Sequence, residues 1–71
     1  MTQTERAILD TLLELEQAVG RMASSPKPDL RPLFARLDQL ASQLPADVPG
    51  DLRHYLQRKS YQKARVFLQE R

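Results

Sequence analysis

The stretch DLRHYLQRKSYQKARVFLQE, residues 51–70, decides how many helices the chain has. With successive side chains about 100° apart, Leu52, Tyr55 and Leu56 share one face, whereas Tyr61, Ala64, Phe67 and Leu68 share another, well round the helix from the first. A single straight helix would aim Lys59 and Lys63 at the core. A break near Lys59-Ser60, with Ser60 capping a last short helix, brings both apolar stripes inward. The pattern therefore predicts helices over 48–59 and 60–70, which together form one kinked or split segment.

Two proline-bearing stretches upstream, SSPKPD at 24–29 and PADVPGD at 45–51, divide the rest of the chain. Between them Leu30, Leu33, Leu37, Leu40 and Leu44 recur at three- and four-residue intervals, with Phe34 and Ala41 beside them. Asp29 is the expected cap, because Pro32 lacks an amide hydrogen and fits only a first turn. Pro45 ends this helix, predicted over 29–44.

The first segment opens with Thr2-Gln3-Thr4-Glu5, in which a threonine and a glutamate three residues later satisfy free amides reciprocally. Ile8, Leu12, Leu15, Val19 and Met22 then fall on one face of a helix predicted over 3–23. Leu9 and Leu13 widen the apolar arc beyond the ~100° of a helix lying on one core. Such a helix touches two neighbours or a second chain. Gly20 near its end costs about 1 kcal/mol relative to alanine unless it ends the helix or permits close packing.

β-Branched residues are few and no segment alternates with period two, so strands are not expected. The prediction is an all-α single domain over 1–71, an up-down three-helix bundle with its third helix kinked or split near Ser60. The expected core is Ile8, Leu12, Leu15, Val19, Leu33, Leu37, Leu40, Leu44, Leu52, Leu56, Phe67 and Leu68.

A domain of 71 residues buries only about 60% of its unfolded surface. With no cysteine and His54 as its one histidine, the chain has neither a disulfide framework nor the donors of a structural zinc site. Its stability must come from helix packing or from association. MTQTERAILD at the start reads as neither a signal nor a transit peptide. No run approaches the ~18 apolar residues of a membrane span, so a cytoplasmic protein is expected.

The net charge of +2 conceals an asymmetry. Across residues 1–25, Arg6 and Arg21 stand against four acids; across 51–71, six cations stand against Asp51 and Glu70. An acidic beginning thus faces a basic end. If the first and last helices lie side by side, Asp10 and Glu14 would face arginines, and the asymmetry would serve to order the helices.

Chemistry has few candidates. His54 has Arg53 and Arg58 as neighbours and reads as an exposed helical histidine. Asp10 and Glu14 lie one turn apart but lack the Glu-x-x-His pair that bundle metal sites use, and Glu14 and Glu16 read as solvated positions. Gly20 and Gly50 cannot build a phosphate loop. No enzyme activity, cofactor, metal or small-molecule substrate is therefore expected.

Two binding roles remain. A helical interaction module that binds another protein or a second copy of itself would use Leu9 and Leu13, at the edge of the wide arc. A nucleic-acid-binding accessory protein would instead use Arg53, Arg58, Lys59, Lys63 and Arg65, and on an unbroken helix His54, Arg58, Tyr61 and Arg65 would form a cationic stripe around a stacking tyrosine. Eight arginines against three lysines, with no asparagine and one isoleucine, also fit GC-rich coding bias, which scatters arginine without function.

Overall fold

The computed structural model describes residues 2–23 and 29–70, so most of the first proline stretch, 24–28, lies outside it. Four helices follow one another: α1 over Gln3–Gly20, α2 over Arg31–Ser42, α3 over Gly50–Gln57 and α4 over Tyr61–Gln69. The described residues contain no strand. The described residues are all-α, with four helices rather than three, each shorter than the sequence suggests.

The extra helix comes from a complete break between α3 and α4. Ser60 N donates to Tyr55 O (2.8 Å) and Lys59 N to Leu56 O (3.2 Å), while Lys59 itself adopts φ 57°. These are the two reversed bonds and the left-handed residue of a Schellman motif, which closes a helix by satisfying its last carbonyls. Glycine is the usual occupant of the left-handed position, and here a lysine holds it. Ser60 stands at the N-cap of α4, but contrary to expectation its side chain caps nothing.

At the start of α1 the reciprocal cap forms as its spacing predicts: Glu5 N donates to Thr2 Oγ1 (3.1 Å) and Thr2 N to Glu5 Oε1 (3.2 Å). Leu30, not Asp29, is the residue at the N-cap of α2. Its dihedrals are already helical, and the Asp29 carboxylate accepts the Arg31 amide (3.1 Å) from one residue outside. Helix α3 begins at Gly50, two residues later than predicted, behind Pro49.

α1 packs against α2 and α4, and α3 packs against the same two helices, so the four form a closed ring of neighbours. Ile8, Leu12, Leu15, Leu37, Leu44, Leu52, Leu56, Ala64 and Leu68 make the core. Truncating Leu12 or Leu52 to alanine would cost about 2–5 kcal/mol, a large share of what so small a domain has. Leu33, Leu40 and Phe67 are only partly buried against this core. Thr11 is buried with its hydroxyl donating to Ala7 O (2.7 Å).

Val19 departs most from expectation: it continues the stripe of Ile8, Leu12 and Leu15, yet it is 53% exposed. Helix lengths explain this. The helical stripe from Ile8 to Val19 is about 17 Å long, whereas the nine residues of α4 span about 14 Å and cannot cover it all.

Helix α4 is fastened on three sides. Its Tyr61 stacks on Phe34 of α2 (centroids 5.9 Å, planes at 21°), and its Phe67 meets Tyr55 of α3 edge-on (6.2 Å, 70°). Arg65 forms an ion pair with Glu16 of α1. Tyr61 and Gln62 lie beside Val19 and Gly20, and Arg65 beside Glu16, so α1 and α4 run antiparallel.

Candidate functional site

The five basic residues do not form one surface. Arg53, half-buried on α3, donates to Pro45 O (2.9 Å) and Leu44 O (3.4 Å), tying down the carbonyls just past α2. Arg65 is held by Glu16 Oε1 (2.6 Å) and by Gln69 Oε1 (2.8 Å). Of the five, Arg58, Lys59 and Lys63 are exposed, around the α3–α4 turn and the first turns of α4.

The break also removes the aromatic from the expected cationic stripe. Tyr61 packs against the core, and its hydroxyl is buried with no hydrogen-bond partner among the described residues. Burial, and then the Asp38 carboxylate, raise its pKa above the ordinary tyrosine value of 10.0. A base has no access to the face stacked on Phe34.

The acidic groups are likewise engaged or dispersed. Asp10 pairs with Arg6 across one helical turn (3.8 Å), and both side chains are exposed. Glu14 is exposed. Glu16, which reads from sequence as a solvated position, is the residue that α4 contacts; the adjacency of acidic and basic helices is real, but through Glu16 rather than Asp10 or Glu14. Among the described residues no group of three or more His, Asp or Glu side chains could hold a metal ion. His54 is exposed.

The two leucines at the edge of the α1 arc differ in their surroundings. Leu9 is half-buried and packs against the core. Leu13, also half-buried, is not among the side chains packed there. The larger exposed apolar surface lies at the end of α1 and in the turn that follows, at Val19 (53% exposed) and Met22 (38%).

There the last turns of α1 and the first turn of α4 form a shallow groove of about 510 Å³, lined by Leu15, Glu16, Val19, Gly20, Tyr61 and Gln62. Sequence reasoning found Val19 but placed it in the core. Gly20 has an ordinary φ, and a Cβ built on it would meet nothing within 4 Å. Among the described residues neither a left-handed turn nor a close approach requires this glycine. No helix of the described residues is long and apolar enough to cross a membrane.

No protein-family model matches the chain, and no curated protein or solved structure matches it.

Proposed function

We propose that the chain is a small helical module, without catalytic activity of its own, that binds another polypeptide through the end of α1 and the adjoining start of α4. The observation that carries this is the exposed continuation of the α1 stripe. Val19 lies in phase with three buried residues and is more than half open to solvent. An apolar stripe that outruns its own bundle is satisfied when another chain completes the cover. Gly20 supports the same reading, since it lines the groove and a Cβ there would meet nothing within 4 Å among the described residues. Leu13, half-buried and off the core, extends the surface along α1.

Nucleic-acid binding is less well supported, because Arg53 and Arg65 serve contacts inside the chain and Tyr61 is covered. Three exposed cations would give weak association that falls steeply with salt.

A photo-crosslinking residue at position 19, compared with one at the exposed position of Gln39 on α2, tests the proposal in cells. A discrete adduct from position 19, absent from position 39 and competed away by untagged protein but not by its Val19→Asp form, is expected. Equal adducts from both positions, or none from 19, would overturn it. A parallel anisotropy titration against short DNA and RNA should show binding lost by physiological salt; binding that survives would make Arg58, Lys59 and Lys63 the site instead.

A further inference from the structure

The outer face of α4 carries a second pattern, which adjoins the α1 groove at Gln62. Lys63, Val66 and Glu70 fall at spacings of three and four, which places them in one row along the helix. Val66 is 38% exposed at the centre, with Lys63 and Glu70 exposed one turn to either side. With Tyr55, Gln62 and Phe67 they line a shallow, mostly apolar depression of about 410 Å³ between α3 and α4. Neither Lys63 nor Glu70 belongs to any ion pair among the described residues.

A positive charge, an apolar centre and a negative charge at matched intervals make a surface complementary to itself under a two-fold axis. A second α4 laid antiparallel across Val66 sets each Lys63 against the partner's Glu70, twice, and brings the two valines together. The charges of the row cancel, so it offers no field to a phosphate backbone or an acidic membrane. We infer that the chain forms a symmetric dimer with a second copy of itself through antiparallel pairing of α4. The surface is small, so the dimer belongs to the weak class, with dissociation in the micromolar range or above.

This inference goes beyond the α1 site and shares no residue with its apolar stripe. Sedimentation velocity from micromolar to millimolar protein, with circular dichroism confirming helix content, tests it. The wild type should pass from monomer to dimer. Lys63→Glu and Glu70→Lys, each placing like charges face to face twice, should weaken self-association about tenfold or more. An equimolar mixture of the two single variants should restore a dimer, as should the chain carrying both substitutions.

A wild type that stays monomeric throughout, or single variants that dimerise as well as the wild type, would overturn the inference. A dimer lost with Val19→Asp but kept with Lys63→Glu would also overturn it, by moving self-association to the α1 groove. A monomeric wild type that still gives a discrete crosslink from position 19 would leave the α1 proposal standing.

Discussion

Arg65 on α4 reaches Glu16 on α1 with Nε 2.6 Å from Oε1, joining helices whose paired residues lie 49 positions apart. The Glu16 side chain is 47% exposed and that of Arg65 21%, so solvent screens the pair. A double-mutant cycle with Glu16→Gln and Arg65→Gln should yield a coupling of about 0.5–1 kcal/mol at low ionic strength. The coupling should shrink in molar salt. A coupling indistinguishable from zero at low salt would show that the pair orders nothing.

Lys59 is the one described non-glycine residue with positive φ. An L-residue in that conformation costs roughly 1–2 kcal/mol, part of which glycine gives back through its freedom in the unfolded chain. Lys59→Gly should therefore raise the unfolding free energy by about 1 kcal/mol in urea melts. Gln39→Gly, within the exposed face of α2, should lower it by about the same amount. If both substitutions destabilise alike, the turn between α3 and α4 is not the left-handed one.

Tyr61→Phe removes a buried hydroxyl that has no hydrogen-bond partner among the described residues and leaves the stacking on Phe34. At neutral pH the variant should be as stable as the wild type or up to about 1 kcal/mol more so. The alkaline range separates the two proteins. Because the folded-state pKa of Tyr61 is raised, its contribution is full below the unfolded value of 10.0 and is lost as pH rises through the folded pKa. The wild type should thus lose more stability than Tyr61→Phe between about pH 9 and 11. Parallel curves would mean that the hydroxyl is solvated.

Arg53 holds two carbonyls beyond the end of α2, so Arg53→Ala should cost about 1 kcal/mol in denaturant melts. Arg53→Lys should recover part of this, since both bonds come from one terminal guanidinium nitrogen and the shorter lysine stem brings its ammonium only part of the way there. A neutral effect of both changes would free Arg53 for an external partner.

How much of this was readable from the chain depends on the range of the interaction concerned. The leucines of α1 and α2 announced themselves because three-four spacing is a property of one helix, and the Thr2–Glu5 cap because it spans four residues. The break before Tyr61 was visible only as a phase conflict between two stripes. The means of breaking was hidden, since no glycine marks the left-handed position that Lys59 takes. Ala64 falls on the same stripe as Leu68, but its complete burial was not legible, because a small side chain looks the same in a core as on a surface. Val19 was misplaced for a different reason: its burial depends on how far α4 reaches, which nothing in α1 records. The roles of Arg53 and Arg65 were hidden likewise, for the carbonyls that Arg53 holds lie past the end of α2 and the carboxylate that Arg65 pairs with lies on α1, and a cluster of cations in sequence says nothing about which are already engaged.

That α1 is covered on one flank by α4 also sets an order of events during synthesis. When the ribosome has made Ile8, Leu12 and Leu15, the side chains that will bury them from that flank, Ala64 and Leu68, are still some fifty residues away. At about 5–20 residues per second the nascent first helix waits on the order of a few seconds with that side bare. During this interval it is an amphipathic helix with one apolar flank open, which the arrival of α4 closes.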